Sequence, residues 1–267
     1  MTGAVAVLAG PGDAGAEAVA GALAARLGGD RVHRLTPARL ARARWSHRVG
    51  PDGRARTRIS LPDGTVLDSA EPGAVLHRLT HLPVPGLARA GAKDRDYART
   101  EILALLASWL LSLGGRVLGT VSAYGTVQGP VSPEAALAHA ARRGLPVARR
   151  GGATRAGLLG RPGPAERVLP HLAWPGGASA PVPADLLPAL RPDPDGRLLL
   201  CGDGLVGPLA ARYGPQAREL GAALGTGLLE LRFAEGRLTD VDTCPPLDLP
   251  AQRAAVVRAL AELAGEV

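Results

Sequence analysis

Short apolar runs alternate with helical stretches along the first half of this chain, and no other feature limits its fold as much. Residues 4–9 are a continuous apolar run, followed by a Gly-Pro-Gly turn and an alanine-rich helical stretch over 13–27. A second apolar strand spans 32–35, and Thr36-Pro37 supplies an N-cap with proline at the first helical position. Residues 45–67 alternate polar and apolar side chains and carry two hairpin signals, Asp52-Gly53 and Asp63-Gly64. A strand is expected over 74–79, a long helix over 94–113 closed by Gly114-Gly115, and a short strand over 116–118. Ser132-Pro133-Glu134 opens a further helix that stops at Gly144, and 146–148 reads as extended. Strand and helix in this order predict a mostly parallel sheet covered on both faces.

Between residues 151 and 195 the periodicity fails and Gly and Pro become frequent, which predicts loops or a linker. Order returns with a strand over 197–201, the turn Asp203-Gly204 and a helix over 215–224. Two strands, 228–233 and 237–241, then flank Ala234-Glu235-Gly236, and a helix over 250–263 follows.

A chain of 267 residues, 46% of them hydrophobic, buries a core without metal or disulfide support. Aromatic residues are only 3%, which removes the stacking platforms of single-strand nucleic-acid binders. The formal charge of +7 is arginine in origin, since Lys93 is the one lysine. The arginines run along the whole chain, as expected of an Arg-, Ala-, Gly- and Pro-rich composition, with a basic surface that attracts an acidic partner as the alternative. Cys201 and Cys244 have no metal-ligand spacing and form no disulfide framework. The longest apolar run, 102–113, is too short to cross a bilayer. With no basic segment ahead of the first apolar run, the expectation is a cytoplasmic protein that binds neither membrane nor nucleic acid.

Three constellations are candidates for chemistry. Gly10-Pro11-Gly12-Asp13-Ala14-Gly15 matches G-x-G-x-x-G between strand and helix, but the second strand, Val32-His33-Arg34-Leu35, lacks the acid of a dinucleotide site. His77 and His81 stand four apart, a spacing that on a helix could hold a metal, but here a strand runs into Pro83 and the two imidazoles need not converge. Glu230 lies on one strand of the C-terminal hairpin, with Asp240 and Asp242 on the next. Residues two apart on a strand share a face, so the three carboxylates can converge as a hard-cation site.

The order of these pieces resembles the ATP-grasp ligases, especially those related to glutamate ligases and ribosomal-peptide maturases. The resemblance rests on the β-α-β opening, Ala74-Val75-Leu76-His77-Arg78-Leu79, the Asp94-to-Glu101 helix start and the Gly144-Leu145-Pro146-Val147 step. Toward the C-terminus it rests on Gly196-Arg197-Leu198-Leu199-Leu200-Cys201-Gly202-Asp203 and on Asp240-Val241-Asp242-Thr243-Cys244-Pro245, which sits where that family has Glu-Val-Asn-x-x-Pro. It covers roughly 1–150 and 196–250.

The resemblance implies an α/β protein: a parallel, pre-ATP-grasp-like sheet in a domain over 1–125, and a reduced ATP-grasp-like sheet in a domain over 126–267 with the irregular segment 151–195. It implies Glu230, Asp240 and Asp242 as metal ligands, Arg197 as the catalytic cation, His77 and Arg78 as substrate-binding, and Arg149 and Arg155 as cofactor-binding. The family grips ATP with lysines, and this chain has none after Lys93. Arginine differs in reach and geometry. The expectation is therefore a reduced nucleotide grip in a protein that binds a carboxylate- or peptide-bearing ligand, with a partner enzyme or a second copy of the chain as further partners. Cofactors are Mg²⁺ and ATP if nucleotide chemistry is retained, and none otherwise. The alternative is an active ATP-dependent carboxylate-amine ligase working through an acyl phosphate.

Overall fold

The computed structural model describes residues 3–52, 55–68, 72–83, 87, 89–122, 125–127, 132–148 and 192–265. The N-terminal half is built on a four-stranded parallel sheet. Its strands are β1 (Ala4–Ala9), β2 (Val32–Leu35), β6 (Pro72–Arg78) and β7 (Val117–Leu118), in the order β2-β1-β6-β7. Helix α1 (Ala14–Leu27) is capped by Asp13, whose carboxylate accepts from the Ala16 N–H at 3.0 Å. Helix α2 (Pro37–Arg42) starts on the expected Thr36-Pro37 cap. Between α2 and β6 a three-stranded antiparallel meander forms from β3 (Arg44–Val49), β4 (Ala55–Ser60) and β5 (Val66–Asp68). The long helix α3 (Ala92–Ser112) precedes β7.

Alternation along β1 shows why the parallel sheet is covered on both sides. Val5 and Val7 enter one core with α1, while Ala6 and Leu8 enter another with Trp109 and Leu110 of α3 and Ile59 and Leu67 of the meander. The meander is pinned to α3 by polar bonds. His47 contacts Thr57 Oγ1 at 2.8 Å and Ser108 Oγ at 2.9 Å, and Trp45 meets Trp109 edge-on at 5.8 Å.

Helix α4 (Pro133–Arg142) leads to the C-terminal sheet. Its strands are β8 (Pro192–Cys201), β9 (Gly204–Val206), β10 (Leu228–Ala234) and β11 (Arg237–Asp242), antiparallel in the order β11-β10-β8-β9. The expected extended step at Pro146-Val147 bridges in parallel to Leu238 on β11. Helix α5 (Ala210–Leu224) covers one face of this sheet with α4. Leu199, Cys201 and Leu228, on the other face, share a core with α1, β1, β6 and α6 (Pro250–Leu263).

One helix differs from its sequence reading. α5 begins at Ala210 rather than at Pro215, and Pro215 sits inside it. In the helix interior proline forfeits one hydrogen bond, and here the buried face formed by Tyr213, Ala217, Leu220 and Leu224 outweighs that loss. Arg149, Arg155 and most of the 151–195 segment lie outside the described residues.

Candidate functional site

The C-terminal hairpin brings the three acids together. Glu230 pairs with Asp242 across β10 and β11, and Arg232 pairs with Asp240, so all four side chains lie on one face. The common point of contact is the guanidinium of Arg232. Its Nε donates to Glu230 Oε2 at 2.7 Å, one terminal nitrogen to Asp240 Oδ2 at 3.3 Å and the other to Asp242 Oδ2 at 2.9 Å.

Glu230 is fully buried. Its second oxygen accepts from Arg197 Nε at 2.8 Å and from the side-chain amide of Gln252 on α6. Both oxygens are thus committed, as a buried carboxylate requires. Arg197 extends the network outward by a two-pronged grip on Asp248, at 2.9 and 3.2 Å. These contacts shift the ionisations. Burial works against the charge of Arg232, but the bond to Glu230 and the charges of Glu230, Asp242 and Asp240 outweigh it and raise its pKa. Arg197 is raised first by Asp248 and then by Glu230, and Asp248 is held below the usual carboxylate value by Arg197.

A second pair ties this cluster to the parallel sheet. Arg78, at the end of β6, donates to Asp13 Oδ2 at 2.7 Å and to the Pro245 carbonyl at 2.6 Å. Cys244, just before Pro245, donates its N–H to Asp242 Oδ1 at 2.9 Å, and burial raises its thiol pKa. Gly15 belongs to the same contact, since a Cβ there would stand 2.3 Å from the Pro246 carbonyl oxygen. The third glycine of the G-x-G-x-x-G match therefore serves close packing of α1 against the loop that leads to Asp248.

The expected site residues that are among the described ones can now be placed, which leaves out Arg149 and Arg155. Glu230, Asp240, Asp242 and Arg197 share one network, and Arg78 reaches its edge through Pro245. His77 does not join them. It is fully buried on the opposite face of β6, neither ring nitrogen has a hydrogen-bond partner among the described residues, and burial lowers its pKa to about 4. His81 is exposed at the following loop. Arg232, Asp248, Gln252 and Asp13 escaped the sequence reading. Only Arg232 had a usable signal there, because Glu230 and Arg232 are two apart on a strand and so share a face.

For a divalent cation this arrangement is a poor fit as it stands. The carboxylates turn toward a guanidinium already at their centre, and among the described residues no group of three or more His, Cys, Asp and Glu is arranged to hold a metal ion.

No family model matches the chain, and no curated protein matches it by sequence. Solved structures do match. The macrocyclase MdnC bound with precursor peptide MdnA, from Microcystis aeruginosa MRC, superposes with a TM-score of 0.64 at 13% identity, covering 97% of this chain and 99% of that one. The chain has an ATP-grasp ligase fold. The ATP-grasp ligase PsnB complexed with minimal precursor gives a TM-score of 0.64 at 16% identity, covering 98% and 99% of the two chains. PsnB complexed with a phosphomimetic variant of minimal precursor, Mg and ADP gives the same figures. A Chryseobacterium gregarium RiPP-associated ATP-grasp ligase, in complex with ADP and a leader and core peptide, gives 0.62 at 11% identity over 98% and 96%. In this ATP-grasp frame the acid-bearing hairpin is closed by the chain's own arginines.

Proposed function

We propose that this chain is an ATP-grasp-fold protein of peptide tailoring that binds a carboxylate- or peptide-bearing ligand, with a reduced nucleotide grip. The observation that carries the reading is the fork of Arg197. Anchored by buried Glu230, it holds the half-exposed carboxylate of Asp248 through two nitrogens. A ligand carboxylate that displaced Asp248 would meet the same planar pair of donors. Solved structures of the same fold with precursor peptides support a peptide as the source of that carboxylate. Arg232 among the three acids, and the absence of lysine after Lys93, support the reduced grip on Mg·ATP. A partner enzyme would then supply the activation chemistry, in the cytoplasm.

One observation favours a second reading, an active carboxylate-amine ligase. Glu230, Asp240, Asp242 and Asp248 outnumber the two arginines that they contact, so the cluster keeps an excess of negative charge. In that reading Glu230, Asp240 and Asp242 take Mg²⁺ once Arg232 swings away. Arg197 steadies the acyl phosphate, and Arg149 and Arg155 hold the nucleotide.

Isothermal titration of Mg·ATP into the purified protein separates the two. The first reading expects no saturable heat in the micromolar range. Saturable micromolar binding that is lost in the Asp240→Asn/Asp242→Asn double variant establishes the second.

A further inference from the structure

The outer face of the β3–β4–β5 meander concentrates positive charge, with four arginines on it. Alternation along β3 and β4 sends Trp45, His47, Thr57 and Ile59 inward, and sends Arg44, Arg48, Arg56 and Arg58 out to solvent. All four arginines are exposed, and none makes an ion pair among the described residues. Arg48 and Arg56 stand directly opposite each other in the ladder, a like-charge pairing that destabilises a sheet. The carboxylate in register on this face, Asp68, lies across from Arg58 on β5.

Two further observations define what such a face can hold. The strand β3 is an edge: it pairs with β4, and no described strand lies on its other side. Among the described residues its backbone is therefore open to an added strand. The platform is also rigid, because His47 and Trp45 fix its inner face to α3. Charge on an edge strand ordinarily serves to keep copies of a protein from pairing. That accounts for Arg44 and Arg48, but not for Arg56 and Arg58, which are on the central strand.

We propose that this face docks an acidic peptide segment in extended conformation, added along β3 as a fourth strand of the meander. Acidic side chains at alternate positions of the segment would lie beside Arg44, Ser46 and Arg48, with Arg56 and Arg58 one strand further in. Main-chain bonding to the edge favours a peptide over a nucleic acid, and among the described residues the face carries no exposed aromatic ring for base stacking. The proposal shares only its peptide ligand with the functional reading above, since the meander packs on the opposite side of the parallel sheet from the acid-bearing hairpin.

Fluorescence anisotropy tests it, with a labelled peptide alternating Glu and Val and matched in length to β3. Wild-type protein should bind this probe saturably. The Arg48→Ser/Arg56→Ser double variant should bind about tenfold or more weakly, while unfolding at no lower temperature, because a repulsive pair is relieved. Arg142→Ser, an equal-sign change at an exposed position of α4, should bind as wild type does. An analogue N-methylated at alternate residues keeps its charge and should bind about tenfold or more weakly, having lost main-chain bonds. The proposal is overturned by absence of wild-type binding, by an unchanged double variant, by equal binding of the N-methylated analogue, or by single-stranded RNA of equal charge binding as tightly.

Discussion

A guanidinium presents five donors in one plane, and Arg232 spends its three nitrogens on three different carboxylates. That choice sets the chemistry of the hairpin more than the acids do. Replacing Arg232 with Gln should leave Asp240 and Asp242 with unshared charge and tighten divalent-cation binding about tenfold or more, a gain readable by Mn²⁺ titration. His77 shows the opposite case, a titratable ring whose nitrogens meet no hydrogen-bond partner among the described residues. Its pKa falls from 6.5 to about 4 because burial penalises the charged ring. The unfolded chain takes up a proton below pH 6.5, while the folded chain resists until near pH 4. Stability is therefore whole above pH 6.5 and drains as pH falls through that window, by about 3 kcal/mol at its end. Urea unfolding of His77→Leu at pH 7.5 and pH 5 should show this acid sensitivity reduced. At pH 7.5 the variant should be no less stable, because two unsatisfied buried nitrogens are gone.

At the scale of elements, glycine separates packing from propensity within one helix. Gly15 and Gly21 both lie in α1, but a Cβ at Gly15 meets the Pro246 carbonyl, whereas at Gly21 it meets nothing within 4 Å. Gly21→Ala should therefore stabilise by up to about 1 kcal/mol. Gly15→Ala should destabilise, since overpacking of about 1–3 kcal/mol outweighs the same helical gain. Paired thermal or chemical denaturation curves check both signs. The elements themselves were legible where period and punctuation agree: β2 at 32–35, the Thr36-Pro37 cap, the Asp63-Gly64 turn and α6 over 250–263. The hairpin acids were legible too, because strand alternation fixes a shared face. The start of α5 was not, since a proline signals an N-terminus as readily as it is tolerated inside a well-packed helix. The closing partner Gln252 was hidden for a different reason: it arrives from α6, and no local pattern ties it to Glu230, while Arg197 came into view only through the family resemblance. The meander's basic face was obscured by composition, because in an arginine-rich chain four more arginines look like background.

For the molecule as a whole, the layers explain where a site can form. The meander and α3 lie on one side of the parallel sheet. On its other side α1 and α6 share a core with the inner face of the C-terminal sheet, and α4 and α5 cover the outer face. Beside that shared apolar core lies the Glu230–Arg232–Arg197 cluster, joined to the parallel sheet through Arg78, Asp13 and Pro245. The fold thus brings the acid-bearing hairpin to the junction of the two halves, and this sequence fills the centre of that hairpin with its own cation. The most direct test of that claim is a Mn²⁺ titration of the wild-type protein followed by electron paramagnetic resonance of the free ion. The account expects no stoichiometric site tighter than millimolar, because Arg232 already occupies the point on which the carboxylates converge. A stoichiometric micromolar Mn²⁺ site that disappears in Asp240→Asn/Asp242→Asn would contradict it.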